Sequence, residues 1–173
     1  MRLWFSGVEA NQAAREWGCN CGPGALACIL GITLDEVRPI VEAVGFADKQ
    51  YMNPTMMQQS LGKKLLCKRP VYEKDRSQTQ FPYHGLARIQ WTGPWTAAGA
   101  NPKWAYGNTH WIASGGKKSG EIEIFDINSG MVSLKKWIDE TVPFIVKDIQ
   151  RADGGWFITH CWEVALDAAE KSG

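Results

Sequence analysis

The segment at residues 21–31 constrains the fold most, because it predicts a short and almost wholly apolar helix that begins with a cysteine. Pro23 suits the first helical turn, where its missing N–H is not needed, and Gly31 is a common residue at a helix C-terminus. The thiol of Cys21 would meet the positive end of the helix dipole and several unpaired backbone N–H groups, which favour the thiolate. The segment therefore indicates either an activated nucleophile or a half-buried structural cysteine.

Further helices are predicted in the first third of the chain. Residues 33–36 form a capping box, and apolar residues follow at helical spacing until Gly45. Asn53-Pro54 begins a second short helix, which Gly62 ends.

Strands are predicted from about residue 64 onward, with one amphipathic helix at residues 133–141 between them. The candidate strands lie at residues 65–67, 86–91, 110–114, 122–126 and 156–164. Helices first and an antiparallel sheet second indicate an α+β fold. We expect one domain over residues 1–173, with a mainly helical half at 1–63 and a mainly sheet half at 64–173.

Composition excludes several classes of function. Hydrophobic residues make up 45% of the chain and charged residues 21%, which is typical of a folded globular protein. No apolar stretch approaches the roughly 20 residues that cross a bilayer, and residues 3–5 are too short for a signal peptide. The net charge is +1 with scattered lysines and arginines, so we expect neither a nucleic-acid partner nor a membrane.

The cysteines are odd in number, which argues for free thiols in a reducing compartment rather than a disulfide framework. They are Cys19, Cys21, Cys28, Cys67 and Cys161. We therefore expect a cytoplasmic protein, or an exported effector whose signal is not recognisable. The sequence alone does not indicate the oligomeric state.

A second informative stretch surrounds His110. Residues 109–114 and 121–126 predict two strands joined by a Gly- and Lys-rich turn. Pairing Ile112 with Ile124 buries two β-branched residues on one face of this hairpin.

The same register places His110 directly opposite Asp126. Directly opposed residues have Cβ atoms about 4.5–5.5 Å apart, so the carboxylate would reach the imidazole. An aspartate beside a histidine fixes its tautomer and stabilises its protonated form. A surface hairpin with an incidental pair is the alternative, and Asn128 is a rival orienting residue.

Together these motifs resemble the papain-like cysteine peptidases, most closely the bacteriocin-leader-processing group and its relatives. The resemblance covers residues 12–130. It rests on Cys21-Gly22-Pro23, on His110 followed by tryptophan and an apolar run, and on Asp126 before a loop that ends in Gly130. Ile127 departs from the pattern, because many relatives have proline there, and Asn20 stands where aspartate is frequent.

The resemblance implies a papain-like α+β fold, in which a central helix bearing the nucleophile packs on a C-terminal antiparallel sheet. It implies that Cys21 is the nucleophile, His110 the general base and acid, and Asp126 the residue that orients His110. Gln12 matches the family's glutamine that binds the oxyanion. In the loop at residues 91–108, three aromatic residues would either roof the substrate cleft or pack into the core: Trp95, Trp104 and Tyr106.

We therefore expect a cysteine-dependent hydrolase that cleaves a peptide or protein substrate through an acyl-thioester, without a metal or organic cofactor. Two alternatives stay open: a deamidase or transglutaminase-like enzyme acting on side-chain amides of a partner, and a catalytically inactive binding module. A zinc site built from Cys19 and Cys21 with His110, or with His160-Cys161, is disfavoured because Cys-x-Cys is not a usual structural zinc spacing.

Overall fold

The computed structural model describes residues 5–70 and 80–165. Its first part is helical. The helices are α1 (Gly7–Trp17), α2 (Cys21–Leu30), α3 (Leu34–Glu42), α4 (Phe46–Lys49) and α5 (Pro54–Leu61), followed by a 3₁₀ turn at Gly62–Lys64. Capping boxes on Ser6 and Thr33 begin α1 and α3, and Asn53 caps α5 through its side chain. The helix starts predicted at Thr33 and Asn53 are confirmed.

The strands follow the helices in the chain, as predicted. They are β1 (Leu65–Pro70), β2 (His84–Trp91), β3 (Thr109–Gly116), β4 (Ile122–Asp126), β5 (Gly130–Ser133) and β6 (Trp156–Val164). In the described part of the chain they form one open antiparallel sheet in the order β1-β6-β2-β3-β4-β5. The α+β class is confirmed, whereas the short strand β5 was not predicted.

Helical segments also connect the later strands. Between β2 and β3 lie a 3₁₀ turn (Pro94–Thr96) and the short helix α6 (Pro102–Tyr106). Between β5 and β6, α7 (Leu134–Lys136), a π-helical turn (Trp137–Thr141) and α8 (Val142–Lys147) follow one another directly. The predicted helix at 133–141 therefore exists but extends further. No helix among the described residues is long and apolar enough to cross a bilayer.

The sheet buries a core on each face. One core joins the N-terminal helices to Leu86, Trp111, Ala113 and Phe125. The other core lies against the segment at 134–147, and its residues from the sheet and that segment include Ala87, Ile89, Ile112, Ile124, Trp137 and Val142. Alternation along each strand assigns neighbouring residues to opposite faces, so the sheet is covered on both sides.

The β3–β4 register differs from the predicted one. Ile124 lies opposite Ser114 rather than opposite Ile112, a shift of two positions. Because side chains alternate with period two, this shift keeps every residue on its predicted face. His110 and Asp126 consequently share a face but meet diagonally instead of directly.

The reason for the shift is that Gly116 belongs to β3 and not to the turn. Gly116 lies against Tyr83: a Cβ there would lie 2.0 Å from Cε2 of the tyrosine ring, and the N–H of Gly116 donates to the carbonyl of Tyr83. The loop is shorter than predicted, and the N–H of Lys117 donates to the carbonyl of Glu121 (2.8 Å).

Helix α2 approaches its neighbours through glycines. A Cβ on Gly22 would lie 2.5 Å from Cβ of Met52, and a Cβ on Gly24 would lie 2.7 Å from Cδ1 of Ile127. The main chain of Met52 is itself fixed, because its carbonyl accepts a hydrogen bond from Nε1 of Trp111 (2.7 Å). Gly22 thus lets α2 lie close to Met52, and Gly24 lets it lie close to Ile127, which follows β4.

We predict that Gly22→Ala destabilises the protein because the new methyl group overlaps Met52, which cannot retreat. Overpacking of this kind costs about 1–3 kcal/mol. Gly7→Ala is the matched control, since its Cβ meets nothing within 4 Å in the first turn of α1. Urea unfolding should show a lower midpoint for Gly22→Ala and an unchanged or higher one for Gly7→Ala; equal midpoints would contradict the packing argument.

Candidate active site

Cys21 is the first residue of α2, and its sulfur meets the backbone of β3. The Sγ atom accepts a hydrogen bond from the backbone N–H of Trp111, the residue after His110. The β3–β4 ladder begins only at the Ala113–Phe125 pair, so Trp111 lies beyond the end of β4. The sulfur therefore occupies the edge of β3 that β4 leaves free.

His110 and Asp126 form a buried ion pair. Nε2 of His110 donates to Oδ2 of Asp126 over 2.9 Å, and the two residues are 6% and 0% exposed. The ring of Trp91 lies beside the imidazole, with the ring centroids 5.9 Å apart. Because Nε2 is engaged, Nδ1 is the imidazole nitrogen that is free of Asp126 and able to exchange a proton with another group.

Two further residues hold the carboxylate of Asp126. The indole Nε1 of Trp137 donates to Oδ2 (2.9 Å). The backbone N–H and the side-chain amide of Asn128 both donate to Oδ1, over 2.9 and 3.0 Å. Asn128, the rival orienting residue, therefore binds Asp126, and Asp126 is the residue that binds the imidazole of His110.

The charges of the pair stabilise each other against burial. Burial alone would raise the pKa of Asp126, but His110 and the donors of Trp137 and Asn128 outweigh it and lower that pKa. Burial would likewise lower the pKa of His110, but the adjacent carboxylate of Asp126 raises it overall. The ionised pair is therefore the favoured state around neutral pH.

Cys19 adds a second sulfur to the site. Its Sγ lies 3.5 Å from Sγ of Cys21. A hydrogen bond from the Cys21 thiol, the backbone N–H groups of Cys21 and Gly22, and the charge of His110 together lower the pKa of Cys19 to about 6, against the effect of burial. The same hydrogen bond, burial and the charge on Cys19 raise the pKa of Cys21. The thiolate expected on Cys21 is thus favoured on Cys19.

A cleft of about 950 Å³ opens beside the two cysteines. Met52, Arg88, Tyr106 and Trp111 are among its walls. Arg88 is a buried cation on β2, and Tyr106 covers its guanidinium, with 5.3 Å between Cζ and the ring centroid.

The loop that carries Tyr106 is fixed by Gln90. The side-chain amide Nε2 of Gln90 donates hydrogen bonds to the carbonyl oxygens of Ala105 (3.0 Å) and Asn108 (2.9 Å). Gln90 is itself buried, so the loop is held from inside the fold. This side of the cleft is therefore built by hydrogen bonds to the main chain rather than by side-chain packing alone.

The remaining predicted site residues lie elsewhere. Gln12 is exposed on α1 and donates to Glu16 (2.8 Å), and it does not line the cleft. Trp95 is buried in the second core and donates to the carbonyl of Trp91 (2.7 Å). Trp104 is 65% exposed and does not line the cleft. Of the three loop aromatics, only Tyr106 is a cleft residue.

The apolar neighbours of Cys28 and Cys67 in the sequence predict core positions for both, and the strand-like run around His160 predicts a packed histidine. Cys28 is buried as expected, but Cys67 is exposed on β1, so its prediction as a core residue was wrong. His160 packs on β6 beside Trp111 and Trp162, as expected of a packed histidine.

Sequence reasoning missed three residues of this site. Arg88 was available as a signal, because it is a charge inside the otherwise apolar run of β2. Cys19 was visible as the neighbour of Cys21 but was considered only as a zinc ligand. Trp137 carried no signal, since its contact with Asp126 joins a helical segment to the end of a strand.

Comparisons with known proteins identify no family. No protein-family model matches the chain, and a search of curated proteins finds no significant match. Within residues 5–70 and 80–165, no group of three or more histidine, cysteine or acidic side chains could hold a metal ion.

We predict that Asp126→Ala lowers the free energy of unfolding by about 3 kcal/mol, because it leaves His110 and the Trp137 indole without their buried partner. The matched control is Asp139→Ala, which removes an exposed carboxylate paired with Lys135 and should cost at most about 0.5 kcal/mol. Denaturant titration of both variants measures the difference. Equal losses would mean that the buried pair has no special role in stability.

The same comparison has a defined pH dependence. The lowered pKa of Asp126 makes its contribution available above about pH 4 and lost as pH falls through the folded pKa. The raised pKa of His110 makes its contribution available below about pH 6.5 and lost as pH rises through the folded pKa. The difference between wild type and Asp126→Ala should therefore be largest between these limits.

We predict that iodoacetamide modifies the Cys19–Cys21 pair at neutral pH, first at Cys19, with a rate that rises through about pH 6. Cys21→Ala removes the hydrogen bond that contributes most to this low pKa, so the rise should move to higher pH. Peptide mass spectrometry at several pH values measures each site, with exposed Cys67 as the reference thiol. If neither thiol of the pair reacts with this pH profile, the assigned charge distribution is wrong.

Proposed function

We propose that this protein is a cysteine-dependent hydrolase of the papain-like type, which cleaves a peptide or amide bond in a peptide or protein. The observation that carries the proposal is the buried His110–Asp126 pair, 2.9 Å apart, beside a cysteine whose sulfur accepts the N–H of Trp111. The arrangement of α2 against β3 and the end of β4 supports the papain-like assignment. In it, a helix bearing a cysteine meets the strands that bear histidine and aspartate.

The proposed roles follow from which nitrogen of the His110 imidazole binds Asp126. Asp126 accepts the hydrogen bond from Nε2, which fixes the tautomer and leaves Nδ1 for Cys21. In the fraction of molecules whose His110 is neutral, Nδ1 removes the thiol proton of Cys21, and the sulfur attacks the carbonyl carbon of the scissile bond. The protonated imidazole then gives its proton to the leaving amine, and an acyl-thioester remains on Cys21.

Water completes the cycle. His110 takes a proton from water, the hydroxyl oxygen attacks the thioester carbonyl, and the carboxylic acid product leaves as Cys21 regains its proton. The balance requires only the substrate and one water molecule. Burial of the His110–Asp126 pair favours this exchange, because the charges are oriented before the substrate arrives.

The first turn of α2 is the proposed source of oxyanion donors. The backbone N–H groups of Cys21 and Gly22 already help to lower the pKa of Cys19, and donors that favour a thiolate also favour an oxyanion. Gln12 is directed to Glu16 on an exposed helix face, which favours the backbone donors over its side-chain amide.

Cys19 is a second candidate for the nucleophile in the same reaction class. The specific observation in its favour is its lowered pKa of about 6, together with its position in the wall of the cleft. Cys19→Ser and Cys21→Ser separate the two candidates, because loss of the true nucleophile abolishes the acyl-enzyme.

We predict that Cys21→Ala abolishes hydrolysis, and that His110→Ala slows it by about 10²–10⁴-fold because no base removes the thiol proton. Cys67→Ala, which removes an exposed thiol, is the control and should be unaffected. The measurement compares new peptide N-termini in a lysate of the native cell treated with wild type or Cys21→Ala.

The masses of the reacted proteins separate the alternatives. A gain of about one dalton without chain cleavage would indicate deamidation, and a covalent adduct would indicate a transferase. Activity that survives in both Cys21→Ala and Cys19→Ala would refute thiol catalysis, and identical lysates with wild type and variant would favour a binding module.

A further inference from the structure

Arg88 is a buried cation that the proposed mechanism does not use. It lies on β2, is 5% exposed, and lines the same cleft as Cys21. On neighbouring strands it is paired with Trp111 of β3 and His160 of β6, which also line the cleft. Its side chain is therefore on the α2 face of the sheet and belongs to the cleft wall.

The guanidinium is incompletely satisfied within the described residues. Nη2 donates to Oγ1 of Thr109 (3.1 Å) and Nη1 to Oγ1 of Thr159 (3.5 Å), while the buried Nε has no hydrogen-bond partner. The described residues place no carboxylate within ion-pair distance of it. Burial of an arginine without a carboxylate is costly, which points to a partner that the chain does not supply.

The rest of the cleft neutralises this charge only in part, because the thiolate of Cys19 is the one anionic group among the described lining residues and Lys103 offsets it. Among the described residues that line it there is no aspartate or glutamate, and Lys103 adds a second cation. Burial and the nearby charges of Arg88 and Lys68 lower the pKa of His160 to about 4, so its imidazole is neutral. Because the chain as a whole carries 18 acidic residues, their exclusion from this cleft gives it a local positive potential that attracts anions.

From this geometry we infer that Arg88 is a binding site for a carboxylate of the substrate, within the cleft that holds Cys21. The guanidinium presents donors in a planar fork that matches a carboxylate, and the unpartnered Nε–H provides one of them. Tyr106 covers the guanidinium and Thr109 orients it. This inference rests on the proposed hydrolase function, and it makes the enzyme selective for peptides with a carboxylate close to the cleaved bond.

The carboxylate has two chemical sources, the C-terminus of a peptide or the side chain of an aspartate or glutamate. Two pairs of small probes distinguish them. N-acetylglycine against N-acetylglycinamide tests a terminal carboxylate. N-acetylglutamate α-amide against N-acetylglutamine amide tests a side-chain carboxylate.

The first experiment measures binding and does not require catalysis. Cys21→Ala protein is titrated with the four probes, and amide chemical shifts of cleft residues are followed by NMR. At least one acid should bind about tenfold or more tightly than its uncharged amide, as expected for a charge-assisted pair. Equal binding of acid and amide in both pairs would overturn the inference, even if the enzyme proves to be a hydrolase.

The second experiment uses variants of the arginine. Arg88→Met removes the charge with similar length, Arg88→Lys keeps the charge but loses the fork, and Lys147→Met is the control for an exposed cation outside the cleft lining. Both arginine variants should lose the preference for the acid, whereas Lys147→Met should keep it. If Arg88→Met does not fold, Arg88→Lys and the comparison of acid with amide in the Cys21→Ala background still decide the question.

The third experiment separates substrate binding from an effect on the thiol. For a peptide cleaved in the lysate comparison, Arg88→Lys should reduce kcat/KM for the acid form about tenfold or more and leave its neutral analogue nearly unchanged. An equal loss for both forms, with a shifted pH profile of alkylation, would mean that Arg88 acts on the thiolate and would overturn the inference. Absence of any cleavage, with acid-selective binding intact, would refute the hydrolase and keep the anion site.

Discussion

The carboxylate of Asp126 is the group on which the geometry of the site depends. It is fully buried, and among the described residues its donors come from three parts of the fold: His110 from β3, Trp137 from the helical segment beyond β5, and Asn128 from the turn after β4. A buried anion is stable only when such donors surround it. The ion pair therefore ties the second core, which holds Trp137, to the orientation of the imidazole.

The short length of β4 has an equally direct consequence. Because the β3–β4 ladder does not extend to Trp111, the N–H of that residue is free to bind the sulfur of Cys21. Gly22 and Gly24 let α2 come close enough for this contact. Ile127, directly after β4, fills the space that Gly24 leaves.

Charge is distributed unevenly between the two faces of the sheet. The His110–Asp126 pair is neutral as a whole and lies beside Trp91 and Trp137. On the other face, Arg88 has no acidic partner among the described residues, and the sulfur of Cys21 lies at the free edge of β3, between the two faces. The proposed hydrolase would use the buried pair to activate that thiol and Arg88 to bind an anion.

The sequence by itself determined the local features of this protein. Capping residues, the apolar run after Cys21 and the alternation around His110 were enough to predict the helix starts, the α+β order and the face that His110 shares with Asp126. These features depend on neighbours within a few residues, which the sequence displays directly. The exact pairing of β3 with β4 could not be predicted in this way, because Gly116 extends β3 beside Tyr83 and does not belong to the turn.

Only the tertiary structure decided which groups share a proton or a charge. The contact between Cys19 and Cys21, the donation from Trp137 to Asp126 and the isolation of Arg88 arise from packing between distant segments. Gln12 was predicted to bind the oxyanion from its residue type and its position before Cys21, but its side chain donates to Glu16 on the exposed face of α1. Protonation and hydrogen bonding depend on distance and burial in three dimensions, and a linear sequence specifies these only through the complete fold.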